Sequence, residues 1–195
     1  MGYCMSRKFF VSDLHHSHKR ICEITNRGLF TDFEHHSEWL TDIWNSQVAK
    51  GDLIYILGDV SFATNTLNIA EFIEKLNGQK FIIKGNHDRS NSLNVLKNIN
   101  AIINWDNYKE VKIKDIKTCM MHFPIACWNQ QGRGSFHIHG HSHGSYQGEG
   151  RILDVGIDNA YNVFGEHRLF SEEDVYNVLS QKEIYSSDHH KIIKE

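Results

Sequence analysis

Five short clusters in this sequence hold side chains of the metal-ligating or acid–base type: Asp13-Leu14-His15, Gly58-Asp59, Gly85-Asn86-His87-Asp88, His122 and Gly140-His141-Ser142-His143-Gly144. Asp13, His15, Asp59, Asn86, His122, His141 and His143 together offer mixed oxygen and nitrogen donors. Such a set suits Mn²⁺, Fe²⁺, Zn²⁺ or Ni²⁺ better than Ca²⁺, which prefers oxygen alone. A carboxylate among them could bridge two cations, because each of its oxygens can face a different ion. The flanking glycines allow sharp turns and close backbone approach. His141 and His143, two positions apart, are expected to project to one side of an extended segment. Taken singly, Asp-x-His or Gly-Asp after a strand is common by chance. Two histidines between glycines, or Gly-Asn-His-Asp after a strand, are less so, and the five clusters in succession point to one metal site.

The elements expected to position these clusters alternate between short β-type runs and helical patterns, an α/β arrangement. Strands are expected at Lys8–Ser12, Leu53–Leu57 and Lys80–Lys84, followed by Ala101–Trp105, Tyr108–Lys114, Lys117–Met121, Ser135–His139 and Arg151–Val155. Helices are expected at Ser37–Lys50, stopped by Gly51, at Leu67–Leu76, Ser92–Asn98 and Glu172–Leu179. Each polar cluster follows directly on an apolar run. In open α/β sheets the carboxyl ends of strands meet at one edge, so segments distant in sequence can deliver side chains to one crevice. The first half reads as β-α units and the second half as β-rich, with no linker or repeat. One domain over 1–195 is expected, with a polar tail fraying over 185–195.

Composition narrows the function classes. The chain has 195 residues, 40% apolar and 23% charged, enough to bury a core without disulfides. A formal charge of −3 gives no broad pull on nucleic acid or an anionic membrane, so a phosphate site would need local positive charge, for which metal ions are the obvious source. Cys4, Cys22, Cys119 and Cys127 form no CxxC pair and read as reduced thiols in buried or half-buried positions. Met1–Lys8 has no signal-peptide character and no apolar run nears the roughly 20 residues that span a bilayer, so a soluble, cytoplasmic protein without a membrane partner is expected.

The order DxH, GD, GNHD, H, GHxH resembles the calcineurin-like metallophosphoesterase family from Asp13 to His143. His122-Phe123-Pro124-Ile125, Trp128 and the GHSHG loop are similar to small stand-alone members from bacteria and phages, as is Arg151–Asp158 (RILDVGID). The resemblance implies two packed β-sheets flanked by helices, the calcineurin-like αββα sandwich. It implies two divalent cations, Mn²⁺ first and Fe²⁺, Zn²⁺, Ni²⁺ or Co²⁺ as alternatives. Asp13, His15 and His143 would hold one, Asn86, His122 and His141 the other, with Asp59 bridging. His87 would be no ligand; it would touch the phosphate and protonate the leaving oxygen. Hydroxide shared by the metals would be the nucleophile. The implied activity is phosphodiester hydrolysis on a small phosphate ester, a nucleotide or a nucleic-acid end. Phosphomonoesterase is the alternative activity. A non-catalytic metal-binding module and a mononuclear zinc hydrolase are the alternatives of other kinds, although the first typically lacks some of these residues and the second leaves Asn86 unused.

Several positions stay open at this level. Ser17 stands where the small relatives often have glycine. His16 and His18 could be surface or supporting residues, and His18 could reach the substrate edge. Asp88 could orient a neighbour or cap its loop. His137 and His139 read as packed and hydrogen-bonded. Trp128 and Arg133 could border the pocket, stacking a base and pairing a phosphate, or simply pack the loop.

Overall fold

The computed structural model describes residues 6–18, 20–25, 27–28 and 33–186. In chain order its first half contains β1 (Lys8–Val11), α1 (Ile21–Ile24), α2 (Phe33–Gln47), β2 (Leu53–Ile56), α3 (Thr66–Lys75), β3 (Gln79–Ile83), α4 (Ser90–Asn98) and β4 (Asn104–Asp106). The second half contains β5 (Tyr108–Ile113), β6 (Ile116–Met121), a 3₁₀ turn (Gln131–Arg133), β7 (Phe136–His139), β8 (Ile152–Asp154), α5 (Ile157–Phe164), β9 (Phe170–Ser171) and α6 (Glu172–Ser180).

Two mixed sheets result. In the first, β1 to β4 run parallel and β9 joins antiparallel, in the order β4-β3-β2-β1-β9. The second has the order β5-β6-β7-β8, with β6, β7 and β8 parallel and β5 antiparallel. Side-chain alternation along the strands builds a core on each face of the first sheet. Phe9, Val11, Ile54, Ile56 and Ile82 face Leu40 and Trp44 of α2, Ile69 and Ile73 of α3, and Leu93 and Leu96 of α4. Phe10, Tyr55, Leu57, Phe81 and Ile83 face the second sheet through Met120, Phe136, Ile138 and Leu153, with Val175 and Leu179 of α6. This is the expected pair of packed sheets flanked by helices. The sheets also touch where Ser12 N–H donates to Val155 O at 3.1 Å, which brings the end of β1 beside the end of β8.

Element boundaries differ from expectation where side chains redirect the backbone. Helix α2 ends at Gln47, before Lys50, because the Asp52 carboxylate accepts from Ala49 N–H and turns the chain into β2. The strand expected at Ala101–Trp105 pairs only over Asn104–Asp106, since Ala101 and Ile102 N–H fold back onto Leu96 O. Helices α1 and α5 and strand β9 were not expected. α5 is eight residues long and carries β-favouring Ile157, Tyr161, Val163 and Phe164. Its burial of Ile157 and Ala160 holds it in place.

Cys119 is buried and Cys22 half-buried as expected; Cys127 is exposed, against expectation. Cys4 lies outside the described residues, as does 187–195 of the expected tail. Among the described residues no helix is long and apolar enough to cross a membrane.

Candidate metal centre

The parallel strands aim their carboxyl ends at one edge, and the polar clusters begin there. Five donors occupy left-handed backbone: Asp13 (φ 57°), His15 (52°), Asp59 (54°), His141 (69°) and His143 (48°). Non-glycine residues adopt this conformation at a cost of about 1–3 kcal/mol, and Asp and His tolerate it better than most. A network of hydrogen bonds over-determines it. Asp13 N–H donates to Gly58 O and His15 N–H to Asp59 O, both at 3.0 Å. The Asp88 carboxylate accepts from Asp59 N–H (2.9 Å), Val60 N–H (3.0 Å) and Gly85 N–H (2.9 Å), stapling two ligand loops together. Asp88 therefore caps its loop. Gly85 and Gly140 permit close approach: a Cβ on the first would strike the Asp59 carboxylate, and one on the second would strike the side chains of Ser12 and Asp13.

Two donor groups face one another at this edge. Asp13, His15 and His143 offer ligand atoms within 4.8 Å of one another, and so do Asp59, His122 and His141. In the first group His15 Nε2 lies 3.6 Å and His143 Nε2 3.9 Å from Asp13 Oδ1. In the second, His122 Nε2 lies 3.5 Å from Asp59 Oδ2 and 3.0 Å from Asn86 Oδ1. Asp59 Oδ2 also lies 3.9 Å from His15 Nε2, so one oxygen stands between the groups. His87 Nε2 is 3.8 Å from the same oxygen, and the ring is exposed. Apart from the 3.0 Å hydrogen-bond contact between His122 and Asn86, these are spacings for donors around a shared ion rather than for direct hydrogen bonds. Asp13 Oδ1 and His15 Nε2 are buried without a hydrogen-bond partner, which is costly unless another group satisfies them. The donor set and its unspent atoms fit divalent cations.

Charge supports the same reading. Burial pushes the Asp13 carboxyl up, but the His15, His143 and His122 rings and the Ser12 hydroxyl outweigh it and hold it below its ordinary value. Asp59 behaves alike, with burial opposed chiefly by His122. Burial lowers His15, and its Asp13 neighbour does not restore it. His122 and His143 end above the ordinary range, because carboxylates outweigh burial.

A supporting layer fixes ring orientation. His122 Nδ1–H donates to Leu57 O at 2.7 Å, and His143 Nδ1–H donates to Asp158 Oδ2 at 2.6 Å, leaving each Nε2 toward the site. Buried Arg27 grips Asp158 with two bonds of 2.8 Å and also donates to the carbonyls of Asp13 and Leu14. Asp154 accepts from Ser142 Oγ (2.6 Å) and Gly144 N–H (2.9 Å), shaping the last loop. Reading the sequence missed Arg27, Asp154 and Asp158 in these roles. The two aspartates lie in the DVGID run just past the histidine loop, which is a usable signal; Arg27 lies in no pattern at all.

Other expectations sort clearly. His141 and His143 do not share an extended segment: their left-handed turns send them to different donor groups. Ser17 has φ 61°, a glycine-like backbone. His16 is buried on Phe72 (rings 4.0 Å apart) and bonded to Ser61 Oγ, and burial lowers its pKa to about 4. His18 stands beside His15, edge-on to Phe62. Trp128 is buried against His137 with its indole N–H on Ser135 O, so it packs its loop rather than stacking a substrate. Arg133 closes the 3₁₀ turn.

A family model described as calcineurin-like phosphoesterase matches residues 7–192. The gene 66 protein of Mycobacterium phage L5 is 29% identical over 207 residues, covering 90% of this chain and 95% of its own. An uncharacterized protein of Methanocaldococcus jannaschii is 28% identical over 146 residues, 74% of each chain. Among solved structures, a protein of unknown function from Aquifex aeolicus superposes with a TM-score of 0.65 at 20% identity, over 89% of this chain and 99% of that one, a likeness of fold.

Proposed function

This chain belongs to the calcineurin-like phosphoesterases, a family of phosphoester hydrolases, and from that premise we propose that it is a dinuclear phosphodiesterase acting on small, nucleotide-type esters. The observation that carries the reading is Asp59 Oδ2, which lies 3.9 Å from His15 of one donor group and 3.5 Å from His122 of the other. Asp13, His15 and His143 would hold one cation, Asn86, His122 and His141 the second, and Asp59 would serve both. Bound there, Mn²⁺ or a similar divalent pair would lower the pKa of a shared water and neutralise charge on the phosphoryl oxygens.

The chain's own residues supply the rest. Asp158 keeps the His143 proton on Nδ1, and the Leu57 carbonyl does the same for His122, so both rings present Nε2 as a lone-pair donor. His87 follows Asn86, and its N–H donates to Asp59 Oδ1 at 3.0 Å, fixing its backbone while its ring stays exposed. From that position Nε2 can hand a proton to the leaving oxygen, a contribution on the order of 10²–10⁴-fold.

The test is metal content per chain measured with hydrolysis of bis-p-nitrophenyl phosphate and p-nitrophenyl phosphate across several divalent ions. Two bound ions with faster diester turnover are expected. Faster monoester turnover would make the protein a phosphomonoesterase, and two ions without turnover on either ester would make it a binding module.

A further inference from the structure

Beside His87, a cavity of about 140 Å³ opens between the loop after β2 and helix α4. Phe62, Ala63, Ile69, Leu93 and Leu96 give it an apolar lining, and the Phe62 ring stands 4.4 Å from the His87 ring. Its polar lining is mostly committed elsewhere. Ser61 Oγ bonds to His16 and Ala63 N–H, Ser92 Oγ bonds to Thr66, and the Asp88 carboxylate is taken by backbone N–H groups. Arg89 differs. It lines the cavity from an exposed position, and among the described residues no carboxylate pairs with it.

The volume decides what fits. An engineered apolar cavity of roughly 150 Å³ accepts one benzene ring, so this one has room for a single six-membered ring, and the second ring of a fused bicycle would have to stand out at its mouth. A free guanidinium selects an anionic or carbonyl oxygen, which it can engage through two N–H donors. We infer that this cavity receives the leaving group of the ester, as one planar ring bearing an anionic or carbonyl oxygen for Arg89. Among nucleotide-type esters that describes a pyrimidine in preference to a purine. The inference rests on the reading of His87 as proton donor to the leaving oxygen, because that role puts the adjoining cavity on the leaving-group side.

The test compares methyl phosphodiesters whose leaving group is phenyl, 4-carboxyphenyl or 2-naphthyl, with kcat/KM normalised to each ester's alkaline hydrolysis. Methyl NMR of the metal-free protein titrated with 4-hydroxybenzoate runs beside it. The 4-carboxyphenyl ester is expected to exceed the naphthyl ester by about tenfold, mostly through KM. Ala63→Leu and Ser92→Leu, which fill the cavity, should each erase that advantage. Arg89→Gln should lower the 4-carboxyphenyl ester about tenfold more than the phenyl ester. The Ala63, Leu93 and Leu96 methyl signals should move with 4-hydroxybenzoate. Arg89 is exposed, so its variant keeps the test decisive if both filling variants fail to fold. Equal normalised rates for the three esters would overturn the leaving-group assignment and leave the phosphoesterase reading standing. If no ester turns over with any divalent ion, the phosphoesterase reading fails instead. The methyl shifts then decide alone: movement upholds a ring site, and its absence removes it.

Discussion

Histidines sit in two regions of this molecule only one strand apart, and their surroundings use them in opposite ways. At the loop edge, His122 and His143 each donate from Nδ1 to a fixed acceptor, turn Nε2 toward carboxylates, and have raised pKa values. On β7, His137 is fully buried with both ring nitrogens committed: Nδ1–H donates to Cys119 O and Nε2 accepts from Ile125 N–H. Its neighbour His139 donates from Nδ1 to Gly140 O, and burial lowers both pKa values. A histidine count therefore says little about metal sites. What separates His143 from His137 is whether a ring nitrogen is left without a hydrogen bond and whether the backbone that carries it is held in a turn or in a ladder.

The sharpest way to break that contrast is to remove the oxygen shared by the two donor groups. Asp59→Asn should abolish stoichiometric binding of two ions and lower kcat/KM by about 10³-fold or more, a loss of several kcal/mol at 1.36 per decade. Retention of both ions in a metal titration would remove Asp59 from its bridging position. Next in size is His87→Ala. It should keep both ions yet lose on the order of 10²–10⁴-fold in kcat on esters with poor leaving groups, and much less on p-nitrophenyl esters, whose oxygen needs little help. An equal loss on both kinds of ester would argue against a proton donor.

A third variant probes the supporting layer. Asp158→Asn keeps the shape but removes the charge that orients His143 and pairs with Arg27, both at 2.8 Å or closer. Loss of such a partner usually weakens metal affinity by about 10–100-fold. Leaving the Arg27 guanidinium buried without its carboxylate should also cost about 3–5 kcal/mol in stability. Isothermal titration with Mn²⁺ and chemical unfolding of the metal-free variant measure the two effects separately. Unchanged affinity would mean that the Gly140–Gly144 loop holds His143 without help.

These sites also mark how far the sequence was legible. Asp13, Asp59, Asn86 and His122 could be read because each closes an apolar strand, and the carboxyl ends of parallel strands share an edge. The first sheet was legible as well, because the near-continuous apolar run Leu53–Leu57 requires a core on each face, whereas the packing of two sheets was implied by the family resemblance. Arg27 was not legible: its partner Asp158 is 131 residues away, and no local pattern announces a contact made only by tertiary packing. Helix α5 was hidden by its β-favouring residues. The left-handed turns at His141 and His143 were hidden because a periodicity argument assumes regular backbone, which this loop lacks.

The smallest expected effect lies on the far side of the comparison and needs no metal. Burial holds His137 at a pKa of about 4 against an ordinary histidine value of 6.5. Protonating it in the folded state would place a charge in the core and turn Nε2 from an acceptor for Ile125 N–H into a second donor. Between those two pH values the unfolded chain takes up a proton that the folded chain refuses, so stability falls as pH drops through that window. At ~1.4 kcal/mol per pH decade the ceiling is about 3 kcal/mol, present in full above pH 6.5 and gone below about 4. His16, also held near 4, adds to the same slope, so the His137 share must be isolated by difference. His137→Gln should be less stable than the parent at pH 7 and should close the gap as pH approaches 4, read from urea unfolding of metal-free protein. A gap that stayed constant with pH would show that His137 is not held neutral in the core, and the contrast between spent and unspent ring nitrogens would lose its second half.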